Sequence, residues 1–140
     1  MNAKSKQLLK NYEKDIVDAW HVAQENDGNK IGISLSLTQA GLSAERICQA
    51  TYIRIHGFEP PSSLTFHKII LLFFKEGVFD IQMKTIMNTI RPIAAQGRHK
   101  SVTIERAFMD KIRLFLMDAI IWYQKTYKMK LLTTVNCEIR

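Results

Sequence analysis

The side chains in this sequence that can do covalent or acid–base chemistry are few and dispersed. Two cysteines, Cys48 and Cys137, stand far apart and neither belongs to a Cys-x-x-Cys pair, whereas a zinc site needs about four clustered ligands. A disulfide between them is not expected in a reducing cytosol. The four histidines, His21, His56, His67 and His99, lack the His-Glu-x-x-His spacing that puts two imidazoles on one helix face. Gly28 and Gly32 bracket Asn29-Lys30-Ile31 but match neither Gly-x-Gly-x-x-Gly nor the Walker phosphate loop, and no Gly-x-Ser-x-Gly elbow occurs. Glu45, Glu59 and Asp80 are carboxylates at unrelated positions. This inventory points away from an enzyme, and neither a cofactor nor a metal is expected.

Binding chemistry gives a stronger signal. The 140 residues carry 20 Lys+Arg against 13 Asp+Glu, a formal charge of +7, and the pI is near 9.5. An anionic partner is therefore expected, with nucleic acid the first suspect. The charge is uneven. Residues 1–83 hold nine basic and nine acidic side chains, and residues 84–140 hold 11 and 4, which accounts for the whole excess. Candidate phosphate contacts are Arg98, His99 and Lys100 in one polar stretch, and Lys125, Lys128 and Lys130 at the end of a long helix. The second cluster has a plain alternative, because cations at a helix C-terminus are favoured by the macrodipole. Arg106 and Arg113 are set aside. Asp110 lies four residues from one and three from the other, the spacing of an exposed ion-pair ladder.

The elements that must position these residues read as nearly all helix. A composition of 46% hydrophobic and 24% charged residues is that of a globular domain, and 140 residues suffice for one buried core. The expectation is an all-α, multi-helix domain over residues 1–130, with a tail or short strand over 131–140. Leu8, Leu9, Tyr12, Ile16, Ala19, Trp20 and Ala23 recur at helical spacing from Lys6 to Gln24. A loop follows at 25–29, then a short helix over 33–40, a break at Gly41, and a second helix capped by Ser43 that reaches about His56. Gly57 to Ser63, with Pro60 and Pro61, is an extended connector. Thr65 to Lys75 is apolar on almost every side and reads as a buried helix. Phe79 to Ile90 is another helix, stopped near Arg91-Pro92, and residues 94–100 form a polar loop.

The longest helix is expected from a cap at Ser101 or Thr103 to about Met129. Ile104, Phe108, Ile112, Phe115 and Ala119 form its stripe, and Leu114, Ile120, Ile121 and Trp122 widen it. So broad an apolar face is either buried in its own core or a subunit interface, and Phe108, Phe115 and Trp122 are the candidate partner contacts. The densest apolar run, Ile69 to Phe74, is six residues, far short of the ~20 needed to cross a bilayer. Residues 1–7 contain no apolar signal-peptide region. A cytoplasmic location without a membrane partner is therefore expected.

Residues 33–56 resemble a helix-turn-helix. That motif needs a short helix, a left-handed glycine at the turn and apolar residues locking two helices at a steep angle. Gly41 takes the turn, Leu42, Ile47 and Ala50 take the locking positions, and Ser43 caps the second helix. In this reading Ala44, Glu45 and Gln49 face the major groove, and Arg46 and Arg54 reach bases or phosphates. Leu37 and Ser36 depart from the usual pattern, and the alternative is an ordinary helical hairpin.

The stretch that follows extends the likeness. Leu42-Ser-x-x-Arg46-Ile47, then Tyr52-Ile53-Arg54, Gly57, Pro60-Pro61, Leu64 and Phe66, resembles the FlhC family, the larger subunit of the flagellar master transcriptional activator. Ile31-Gly32 and Leu35 are similar to its Leu-Gly-x-x-Leu segment, and weaker likeness returns at 72–77 and 131–137. The resemblance implies a cytoplasmic, nucleoid-associated activator that binds double-stranded DNA. It further implies an FlhD-like partner subunit and recruitment of RNA polymerase at promoters of motility or conjugative-transfer genes. Arg46 carries over best, with Ser43 and Arg54 behind it. The family's zinc-binding cysteine cluster does not carry over, since only Cys137 stands where it would begin. Two readings stay open: a DNA-binding activator subunit, and a helical adaptor or inhibitor that docks protein without reading DNA.

Overall fold

The computed structural model describes residues 1–25, 30–97 and 106–132. Among these, five helices and no strand are present: α1 (Ala3–Glu25), α2 (Lys30–His56), α3 (Phe66–Lys75), α4 (Ile81–Gly97) and α5 (Arg106–Thr126). The fold is all-α, as composition and periodicity imply. α2 is the central helix and packs against each of the other four, while α4 also packs on α3 and α5.

The helix-turn-helix expected over 33–56 is replaced by one continuous helix of 27 residues. Gly41 does not break it, and Ser43 lies inside it rather than at a cap. The physical reason is burial. Ser36, Ala40, Gly41, Ser43 and Ala44 are all buried small residues, which let neighbouring backbones approach closely. Glycine inside a helix costs only about 1 kcal/mol relative to alanine, whereas each fully buried Ile or Leu contributes roughly 1.5–3 kcal/mol. The buried Leu37, Ile47 and Ile53 on the same helix therefore outweigh it. The Ser43 hydroxyl satisfies itself by donating to the Ile16 carbonyl of α1 at 2.8 Å.

α2 ends where Gly57 turns left-handed (φ +83) and its N–H donates to the Ile53 carbonyl at 2.7 Å. The proline connector follows. Thr65 caps α3 by accepting from the Lys68 N–H at 3.3 Å. α3 buries Ile69, Ile70 and Phe73 but leaves Leu71 and Phe74 exposed, so it is amphipathic rather than buried all round. Gly77 is left-handed at φ +77. Asp80 then caps α4, accepting from the Met83 N–H at 2.8 Å. α4 does not stop at Pro92 but carries it inside. A proline there removes one backbone bond, and the buried Met83, Ile86, Met87 and Ile90 hold the helix in place regardless.

α5 ends at Thr126, ahead of the end expected near Met129. It buries Met109, Ile112, Leu116, Ala119, Ile120 and Tyr123, whereas Leu114, placed on the apolar stripe by the sequence, is exposed. Lys128 adopts φ 51, and the Gln124 side-chain carbonyl accepts from the Leu131 and Leu132 N–H groups at 2.8 Å each. The first two residues of the expected tail thus pack on the domain, with Leu132 buried. The rest of that tail, the loop at 26–29, and Ser101 and Thr103 lie outside the described residues. No helix among those described is long and apolar enough to cross a membrane.

Adding a Cβ at Gly57 meets no atom within 4 Å, so its only cost is the left-handed backbone, about 1–2 kcal/mol for an L-residue. Gly57→Ala is expected to lower the unfolding free energy by about 1–2 kcal/mol, read as a lower urea midpoint with an unchanged m-value. An unshifted midpoint would show that the left-handed turn is not required.

Candidate functional site

The residues assigned to base reading divide into three groups once their surroundings are known. Ser43 and Ala44 are fully buried, so neither can meet a base edge, and that assignment is corrected. Arg46 and Arg54 are reachable from solvent but engaged. Arg46 Nε donates to Asp15 Oδ2 at 3.0 Å and Nη1 donates to Gln49 Oε1 at 2.6 Å, while its guanidinium lies 4.9 Å from the centre of the Tyr12 ring. The third group, Glu45 and Gln49, lines a groove.

Arg54 sits at a junction of three helices. Its Nη2 donates to Glu13 Oε2 at 2.6 Å, and its Nε is shared between Glu13 Oε2 (3.1 Å) and the Tyr123 hydroxyl oxygen (2.7 Å). The Tyr123 hydroxyl in turn donates to Glu13 Oε2 at 2.5 Å. The guanidinium also lies 5.5 Å from the Tyr123 ring centre and 5.1 Å from that of Tyr127. A charge this enclosed is stable only when paired. These bonds join α1, α2 and α5, so Arg54 is a structural residue here.

The groove lies between the α1–α2 face and the proline connector and has a volume of about 840 Å³, within the range typical of ligand sites. Glu45, Gln49 and Tyr52 come from one face of α2, at the spacing that aligns side chains along a helix, and Tyr12 comes from α1. Phe58, Glu59, Pro60 and Pro61 form the opposite wall, closed by Leu64 and Phe66. Phe58 is 54% exposed, yet its ring packs edge-on to the buried Tyr52 at 6.0 Å, and Tyr52 lies tilted against His56 at 4.3 Å. Burial pushes the Tyr12 phenol pKa up. Arg46 opposes this shift, and Glu59, Asp15 and Glu45 reinforce it. Both groove carboxylates are thus close enough for Tyr12 to feel them.

Of the groove residues, sequence reasoning selected only Glu45 and Gln49, and for another purpose. Tyr12, Tyr52, Phe58, Glu59 and Phe66 were missed as a site. The available signal was an aromatic followed by Glu-Pro-Pro after a helix carrying Glu45, Gln49 and Tyr52.

The other candidates fall elsewhere. Lys125 in the last turn of α5, and Lys128 and Lys130 beyond its end, are each exposed, while Arg98, His99 and Lys100 lie outside the described residues. Phe108, Phe115 and Trp122 are each partly buried against the core rather than forming an open face. Trp122 is edge-on to Phe79 at 5.2 Å and to Tyr127 at 6.4 Å, and Lys111 lies 5.5 Å from the Phe115 ring centre. Asp110 pairs with Arg113 at 3.4 Å, half of the expected ladder. Arg113 is also anchored across the fold, its Nε donating to the Ala23 carbonyl at 2.8 Å. Cys48 is buried with its thiol pKa pushed up by that burial. No group of three or more His, Cys, Asp or Glu side chains is placed to hold a metal among the described residues.

Comparison with protein-family models, curated proteins and solved structures returns no match.

Burial, and then the Glu13 carboxylate that accepts its proton, push the Tyr123 phenol pKa well above its ordinary 10.0, outweighing Arg54. In the unfolded chain the same phenol ionises near 10. The stabilisation is therefore fully present below that pH and is lost as pH rises above it. The unfolding free energy is expected to fall between about pH 9 and about pH 11, and to fall less steeply in Tyr123→Phe. Equal slopes in the two proteins would show that Tyr123 titrates freely.

Proposed function

We propose that this chain is a helical protein–protein interaction subunit that docks a partner through the groove between α1, α2 and the proline connector. The observation that carries this reading is the disposition of α2. Ser43 and Ala44 are buried and Arg46 and Arg54 are bound within the chain, while Glu45, Gln49 and Tyr52 line an aromatic-walled groove that none of the described residues fills. Phe58 is 54% exposed at its edge, and aromatic side chains are enriched in protein–protein contacts relative to the rest of the surface.

A second reading, a DNA-binding activator subunit with an FlhD-like partner, is favoured by the exposed Lys125, Lys128 and Lys130 together with the +7 net charge. In that case the chain grips phosphate and leaves base reading to another surface or to the partner.

One experiment separates the two. The chain is co-expressed with the product of its neighbouring gene and purified at low and high salt, with and without nuclease. The interaction reading expects a stoichiometric complex that resists salt and nuclease, is lost in Phe58→Asp, and persists in Lys125→Ala/Lys128→Ala. A complex lost to nuclease or salt and to the lysine variant, but kept by Phe58→Asp, would replace it with the DNA reading.

A further inference from the structure

The groove is acidic in a basic protein. Its lining contains two carboxylates, Glu45 and Glu59, and no lysine, arginine or histidine, although the chain as a whole carries +7. Neither carboxylate has an ion-pair partner among the described residues. Of the basic groups beside the groove, Arg46 is engaged on Asp15 and Gln49, and His56 lies against the Tyr52 and Phe58 rings; at the start of α3, Thr65 accepts the Lys68 N–H. We propose that the groove binds a lysine- or arginine-bearing segment of the partner protein, with the cation between Glu45 and Glu59 and its aliphatic stem along the exposed Phe58. The proposal rests on the interaction reading above and names the chemistry of the segment that docks.

Three further observations fit this occupant. Aromatic faces attract cations, and the chain already uses the contact internally, with Arg46 over Tyr12 and Lys84 over Phe74 at 4.2 Å. Long basic side chains carry an apolar stem and a charged head, which matches a wall of rings that ends in carboxylates. Pro60 and Pro61 hold their part of the wall at fixed φ, so little ordering is left to occur on binding. An acidic or phosphorylated segment would instead meet two like charges and lose affinity.

The test uses the full chain, labelled with nitrogen-15, and three probes: Nα-acetyl-lysine methylamide, its norleucine isostere and its glutamate counterpart. The lysine probe is expected to shift amide resonances within residues 45–66 saturably. Its affinity should fall at least fivefold in Glu45→Gln/Glu59→Gln, and also in Glu59→Gln alone, a surface change that leaves the fold intact. The norleucine probe should bind at least fivefold more weakly than lysine, and the glutamate probe should not bind. A norleucine probe that binds as tightly as lysine, or an unchanged double variant, overturns the cation assignment. The interaction reading stands in that event if Phe58→Asp still loses its partner, so the two failures are distinguishable. A concentration-dependent dimer abolished by Glu45→Gln/Glu59→Gln, without a lysine-probe response, overturns the proposal in favour of a second copy of this chain.

Discussion

The contact on which the rest of the molecule depends is the one among Glu13, Arg54 and Tyr123. It brings a carboxylate from α1, a guanidinium from α2 and a phenol from α5 to a single oxygen, with Glu13 Oε2 accepting from both partners. Removing an enclosed charge from water is costly, and the cost is offset only when every donor and acceptor finds a partner. The geometry therefore fixes α1, α2 and α5 against one another through residues 41, 69 and 110 positions apart in sequence. Apolar burial supplies most of the stabilisation, but hydrophobic contacts tolerate sliding and rotation in a way that this junction does not.

The functional face follows from that constraint. At 3.6 residues per turn, Glu45, Gln49 and Tyr52 lie on the side of α2 roughly opposite Arg54. Pinning Arg54 to α1 and α5 turns Glu45 and Gln49 toward the proline connector, with Tyr52 buried at the groove's base. Asp15, two residues after Glu13 on α1, holds Arg46 at a second point, so α2 is tied to α1 twice and its rotation is set. The acidity of the groove has the same origin. The arginines of α2 are drawn to the carboxylates of α1, leaving Glu45 and Glu59 without cations of their own.

Much of the fold was legible in periodicity. The α1 stripe through Leu9, Ile16, Ala19, Trp20 and Ala23 is the buried face, and the proline connector falls where Pro60 and Pro61 place it. Where the structure departs from the local signals, packing overrides them. Gly41 and Ser43 looked like a turn and a cap, yet buried among other small residues they mark close helix contact. Pro92 looked like a stop, yet the buried residues before it keep α4 in place. Less of the site was legible. Its walls come from α1, α2, the connector and α3, and no spacing rule links Tyr12 to Glu59. Glu45 and Gln49 were chosen for a helix face that does point outward, but toward a groove rather than a duplex.

The central claim is that the arginines of α2 hold the fold, and a double-mutant cycle on Glu13→Gln and Arg54→Met tests it most directly. Unfolding free energies of the wild type, the two single variants and the double variant give the coupling between the pair. Direct contact through a shared network predicts a coupling of roughly 1–3 kcal/mol, with the double variant recovering much of what each single change loses. A coupling within about 0.5 kcal/mol of zero would contradict the account and return Arg54 to the solvent as a residue free to bind a partner.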